Sequence, residues 1–167
     1  LVPSSRGLAR AMAAQVDVCR PGLVIELGAG TGVVTDALLK AGVSPLQLLV
    51  VEREPKLHAI LQAQFLGVHV VCGDAVQLSD ILEKMGNPSI NAIVSSLPMI
   101  TLPQAVKQTI QEQMASLVGE GVVVQFTYGA QSPLNRNDLR RHGIGGKRVK
   151  TVLTNVPPAH VWVYRRD

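Results

Sequence analysis

The 167-residue chain has the length of one ordinary domain and, with 47% hydrophobic residues, enough apolar side chains for a core of its own. No apolar run approaches the roughly 20 residues that a membrane-spanning helix needs. Sixteen Lys and Arg against 12 Asp and Glu give a net charge of +4, which favours an anionic partner, either nucleic acid or an acidic membrane surface. The aromatic residues are Phe65, Phe126, Tyr128, Trp162 and Tyr164, few for stacking several unpaired bases, so nucleic acid is the less favoured partner. Cys19 and Cys72 sit among apolar neighbours with no His or Cys at metal-ligand spacing. They are expected to be buried, reduced thiols of a cytosolic protein rather than a disulfide or a metal site.

Taken in order, Ser4 or Ser5 is placed to cap a helix over 7–16 in which Leu8, Ala11, Met12 and Gln15 share a face. Pro21 and Gly22 break the chain before a short strand, Leu23 to Leu27, which turns at once into a helix over Thr31 to Lys40. Between them lie Gly28, Ala29, Gly30, Thr31 and Gly32. A strand that becomes a helix this abruptly leaves backbone N–H groups unpaired at the helix start, and glycines let a ligand approach them closely. The spacing is not that of a dinucleotide fingerprint: counted from Gly28, the sixth position is Val33. Glu26 ahead of the turn disfavours a pyrophosphate and suits a ligand with positive charge.

Leu46 to Val51, apolar but for Gln47, is a run ending at Glu52, as in a buried parallel strand. A carboxylate there is placed to accept both hydroxyls of a ribose; the alternative is a solvated Glu beside Arg53 and Glu54. Pro55 opens a helix to Phe65, and Val68 to Cys72 forms a third strand followed by Gly73, Asp74 and Ala75 at the same carboxyl edge. Asp74 is either an acceptor for an adenine amino group or a plain turn or N-cap aspartate. A short helix over 78–85, a strand over Asn91 to Ser95, the turn Ser96-Leu97-Pro98, a helix over 103–118 and a strand over Val122 to Thr127 follow. Gln131 to Lys150 holds Arg136, Arg140, Arg141, Lys147, Arg148 and Lys150 against the single acid Asp138 and reads as a mobile basic loop suited to phosphate or anionic lipid. Val149 to Thr154 and His160 to Arg166, around Pro157 and Pro158, are two closing strands of antiparallel type.

Glu26-Leu-Gly-Ala-Gly-Thr-Gly32, Glu52, Gly73-Asp74-Ala75 and Ser95-Ser96-Leu97-Pro98, at successive strand ends, resemble the motif order of the class I methyltransferases. Val2-Pro-Ser-Ser-Arg6, Ile93-Val-Ser-Ser-Leu-Pro98, Gln125-Phe-Thr-Tyr-Gly129 and Asn155-Val-Pro-Pro-Ala-His-Val-Trp-Val-Tyr-Arg165 are similar to the bacterial phospholipid N-methyltransferases. That resemblance covers nearly the whole chain. It implies one Rossmann-like α/β domain over 1–167, with a mostly parallel seven-stranded sheet flanked by helices and an antiparallel closing strand. It also implies S-adenosylmethionine as methyl donor, S-adenosylhomocysteine as product, and the amine of phosphatidylethanolamine and its methylated intermediates as acceptor, toward phosphatidylcholine. The expected location is cytoplasmic, peripheral on the inner membrane, against phosphatidylethanolamine and anionic lipids. The family's amphipathic segment ahead of the Val-Pro-Ser-Ser stretch is expected to be missing.

By that resemblance Glu26, Gly28, Ala29, Gly30 and Gly32 surround the methionine tail, Glu52 holds the ribose, Asp74 and Ala75 meet the adenine, and Ser95 lies near the sulfonium. Tyr128 is the first candidate for orienting the amine, by its hydroxyl or by its ring, with a packing role as the alternative and His160 as a second candidate. Arg6 and the basic loop are candidates for the lipid phosphate. No metal is required. The rival family is the rRNA adenine N6-dimethyltransferases, whose Asn-Leu-Pro-aromatic motif grips a flipped base. Here the corresponding residues are Ser96, Leu97, Pro98 and Met99. A third reading is an S-adenosylmethionine-binding module without turnover.

Overall fold

Successive residues of the apolar strand runs point to opposite faces of one sheet, and helices cover both. In the computed structural model, which describes residues 5–167, the chain runs α1 (Arg6–Ala13), β1 (Leu23–Leu27), α2 (Val33–Lys40), β2 (Leu48–Glu52) and α3 (Pro55–Gln64). It continues through β3 (His69–Cys72), α4 (Leu78–Lys84), β4 (Ile90–Ser95), α5 (Gln104–Leu117), β5 (Val122–Thr127), α6 (Arg136–Arg140), β6 (Ile144–Val152) and β7 (Ala159–Arg166). Val2, Pro3 and Ser4 of the Val-Pro-Ser-Ser-Arg stretch lie outside the described residues; Ser5 caps α1 by accepting from the Leu8 N–H.

The seven strands are ordered β3-β2-β1-β4-β5-β7-β6. The first five are parallel, and β7 runs antiparallel to both β5 and β6, which matches the expected mostly parallel sheet with an antiparallel closing strand. Val24, Leu48, Val50 and Val124 pack toward α1 and α2, while Ile25, Leu49, Ile93 and Val123 pack toward α4 and α5. This two-sided burial explains why Leu48 to Val51 of β2 is an unbroken apolar run. The carboxyl ends of β1 to β5 share one edge of the sheet.

Two expectations are corrected. The basic stretch is not a loop: α6 and the nine residues of β6 occupy most of it. Of the stretch's three glycines, Gly143, Gly145 and Gly146, which favoured a mobile reading, the last two are packing positions in β6: a Cβ on Gly145 would meet the Asp167 carboxylate and one on Gly146 the buried ring of Tyr164. Tyr164 also stacks on Trp162, which carries the Arg136 guanidinium on its face. Cys19 and Cys72 are exposed rather than buried. Cys19 sits in the turn after α1, where its N–H is held by the Asp17 carboxylate. Cys72 closes β3, an edge strand with no neighbour on its outer side.

Candidate functional site

The β1–α2 turn has the backbone that its glycines predict. Gly28, Gly30 and Gly32 all have positive φ, at 74°, 57° and 90°, a region that L side chains rarely adopt. Two of the three are also fixed by contact. A Cβ on Gly28 would fall 2.7 Å from Leu97 Cδ2, and one on Gly32 would fall 2.6 Å from Phe65 Cε2. Gly30 differs, because nothing lies within 4 Å of where its Cβ would stand. That open face is the part of the turn left for a ligand, with Ala29 buried behind it.

Two carboxylates frame the turn. Glu52, at the end of β2, accepts from the Gly30 N–H through Oε1 and from the Glu54 N–H through Oε2, both at 2.8 Å. It therefore holds the loop in shape and keeps lone pairs on both oxygens for further donors. Glu26, in β1, is fully buried. Its Oε1 accepts from the Thr35 hydroxyl at 2.6 Å, and its Oε2 has no partner. Burial pushes the Glu26 carboxyl from 4.5 up to about 7; the Thr35 hydrogen bond opposes the rise and the negative charge of Glu52 adds to it. An unpartnered, buried carboxylate oxygen is able to accept from a cationic group such as an ammonium.

The third carboxyl edge carries Asp74 and Ala75. Asp74 is the N-cap of the 3-10 turn Ala75–Gln77, accepting from the Val76 N–H at 3.1 Å, and its other oxygen lies 3.8 Å from Arg53 Nη1. Ala75 is buried under that turn. At the end of β4, Ser95 is fully buried and its hydroxyl accepts from the Leu97 N–H at 3.3 Å.

The candidates for the acceptor side meet at the continuation of this edge. Tyr128 follows β5, is 37% exposed, and sets its ring edge-on to Phe126 at 5.4 Å between centroids. His160 pairs with Thr127 across β5 and β7, and its Nδ1 lies 2.9 Å from the Thr151 hydroxyl. Arg6 opens α1 and is exposed. The next residue, Gly7, faces Thr154, so Arg6 reaches the same edge.

Three contributors were not picked out from the sequence. Thr35 holds Glu26, and a polar residue on the inner face of α2 is its only signal. Gln125, fully buried, donates through Nε2 to the carbonyls of Leu97 and Phe126 at 2.9 and 3.0 Å and so ties the Ser96–Pro98 turn to β5, while its Oε1 is unpartnered. The Ser96 hydroxyl is buried without a partner as well.

No protein-family model matches the chain. It is 30% identical over 113 residues to an ornithine lipid N-methyltransferase of Singulisphaera acidiphila, covering 66% of this chain and 59% of that protein. It is 38% identical over 79 residues to a probable ribosomal RNA small subunit methyltransferase A of Thermococcus onnurineus, covering 46% of this chain and 25% of that one. The chain thus spans about three fifths of the first relative and a quarter of the second. Among solved structures it is similar to a Burkholderia thailandensis 1,6-didemethyltoxoflavin-N1-methyltransferase with bound S-adenosylhomocysteine: TM-score 0.65, 15% identity, covering 95% of this chain and 78% of that one. The fold is the Rossmann-like class I methyltransferase fold.

Proposed function

We propose that the protein transfers methyl groups from S-adenosylmethionine to the amine of phosphatidylethanolamine and its methylated intermediates. The observation that carries the donor assignment is the buried, unpartnered Oε2 of Glu26, in the strand that leads into the glycine turn. These residues fit S-adenosylmethionine. Glu26 would take the ammonium of its amino-acid tail, Glu52 the ribose hydroxyls, and Asp74 and Ala75 the adenine. When bound, the donor supplies an electrophilic methyl on a sulfonium.

The acceptor side is the work of the chain's own residues. The Ser95–Met99 turn, tied down by Gln125, walls the space between donor and acceptor. Tyr128 offers a ring face or hydroxyl to an ammonium headgroup. His160, with its ring held by Thr151, offers a nitrogen at the same edge to take the proton that a protonated amine must lose before transfer. Arg6 is positioned for the lipid phosphate.

A lipid acceptor is supported by the similarity to an ornithine lipid N-methyltransferase and by Ser96 and Met99 standing where a base-flipping enzyme has an amide and an aromatic ring. The rRNA reading draws on the second relative. Incubation with methyl-labelled S-adenosylmethionine and, in parallel, phosphatidylethanolamine vesicles, ornithine lipid vesicles or unmodified small-subunit rRNA separates them. Label in phosphatidylethanolamine is expected. Label in rRNA alone, or in ornithine lipid alone, overturns the acceptor assignment, and donor binding with no transfer to any acceptor favours a binding module.

A further inference from the structure

Apolar side chains gather around the acceptor half of the carboxyl edge although solvent surrounds them. Leu153 is 76% exposed, Val156 89% and Ile100 56%, beside the partly exposed Tyr128. They come from different segments at the same edge of the sheet. Ile100 lies against Gly129, the residue after Tyr128; Thr127 pairs with His160, and His160 with Thr151, two residues before Leu153. In the β6–β7 turn Asn155 folds inward, while Leu153, Val156, Pro157 and Pro158 stand out. The two prolines remove two N–H donors from the tip of this turn. A turn of this composition enters an apolar medium at lower cost, because fewer backbone donors are left without a partner.

Charge is arranged to match. The residues nearest this rim, 5–10, 96–107, 127–134 and 148–160, contain Arg6, Arg10, Lys107, Arg148 and Lys150 and no Asp or Glu, while Asp138 lies farther on, in α6 beside Arg141. The acids of the carboxyl edge, Glu26, Glu52, Glu54 and Asp74, all belong to the donor half. Leu46 and Leu66 are equally exposed, but they precede β2 and β3 and so sit at the opposite edge of the sheet.

We infer that the β6–β7 turn, with Ile100, is a docking surface for a bilayer carrying anionic lipid: Leu153 and Val156 enter the interface while Arg6 and Lys150 meet the headgroups. The inference rests on the lipid-acceptor reading and locates where the membrane meets that site. It places membrane contact in the body of the domain, at the rim of the acceptor site, so that a headgroup reaches Tyr128 without leaving its leaflet. Burial of one Leu and one Val in the interface corresponds to roughly a tenfold or larger change in partitioning.

Flotation of the protein with phosphatidylethanolamine vesicles containing a minority of phosphatidylglycerol tests this. The parent is expected to float, Leu153→Ser/Val156→Ser to float at least about tenfold less, and Leu46→Ser/Leu66→Ser to behave as the parent. Replacing phosphatidylglycerol by phosphatidylcholine is expected to weaken the parent's binding. Methyl transfer to a short-chain, water-soluble phosphatidylethanolamine, equal in parent and double variant, shows that the variant is folded and tests the acceptor assignment separately. The docking surface is overturned if the parent stays in the aqueous layer, if the double variant floats like the parent, if binding follows Leu46 and Leu66 instead, or if Leu153 and Val156 prove to hold two copies of the chain together. A parent that floats through Leu153 and Val156 but methylates no phosphatidylethanolamine supports the docking surface and overturns the acceptor assignment alone.

Discussion

Glu26→Gln is the most informative single substitution, because Glu26 is isosteric with Gln and its titration has a defined sign. The carboxyl is raised from 4.5 to about 7 by burial, so between these two pH values the folded chain holds a proton that the unfolded chain has lost. Stability from this group is therefore fully present below pH 4.5 and is lost as pH rises through about 7. The shift corresponds to about 3 kcal/mol, or roughly a 10 °C change in melting temperature for a domain of this size. Thermal unfolding from pH 5 to pH 9 is expected to show the parent losing stability relative to Glu26→Gln by up to that amount, with the gap closed at the acid end. Bound donor should reverse the ranking, since its ammonium needs the ionised carboxylate. Relative to Glu26→Gln, the parent's affinity is expected to weaken about tenfold for each pH unit below 7, with proton release on binding measurable by calorimetry in buffers of different ionisation enthalpy. Stability curves that run parallel across this range, or an S-adenosylmethionine affinity unchanged by the substitution at pH 8, would refute the role given to Glu26.

Glu52→Ala removes the acceptor of the Gly30 and Glu54 N–H groups as well as the ribose contacts, and calorimetry should show donor affinity falling by about tenfold or more; unchanged affinity removes Glu52 from the site. Gly32→Ala forces a Cβ at φ 90° against Phe65, with an expected loss of about 2–4 kcal/mol in urea unfolding. Phe65→Leu in the same chain should recover part of that loss, and no recovery would mean that backbone conformation alone sets it. Tyr128→Phe is expected to keep the KM for the lipid and Tyr128→Ala to raise it roughly tenfold; equal losses assign the hydroxyl, and no loss in either assigns Tyr128 to packing on Phe126.

The glycine turn and its framing carboxylates were legible because their demands are local. Positive φ requires glycine within a few residues of Glu26, and carboxylates at the ends of apolar runs mark successive strand ends at one edge. Glu26 itself was legible as a charge but not as a buried one, since its partner Thr35 comes from the next helix. The first half of strand β6, ahead of Val149, was hidden for a different reason. Strand β6 is an edge strand whose exposed Lys147, Arg148 and Lys150 keep its outer side from pairing with other chains, and that protection erases the alternation by which strands are read. The exposure of Cys72 was likewise out of reach, because apolar neighbours along the chain do not reveal that β3 lies at the edge of the sheet. The role of Gln125 depends on a carbonyl 28 residues away, a distance at which residue patterns carry no signal.

The sheet order also sets a sequence of assembly. Strand β6 touches the rest of the sheet only through β7, which inserts between it and β5. During synthesis, therefore, β6 emerges before the strand that will hold it, and β5 waits with an open edge until Ala159–Arg166 has left the ribosome. The parallel half, including the glycine turn and both framing carboxylates, is complete by then and precedes the pairing of β7 with β5 and β6. A nascent chain halted after β6 would present two unpaired strand edges at once, and that interval is when the protein is most exposed to aggregation or to a chaperone.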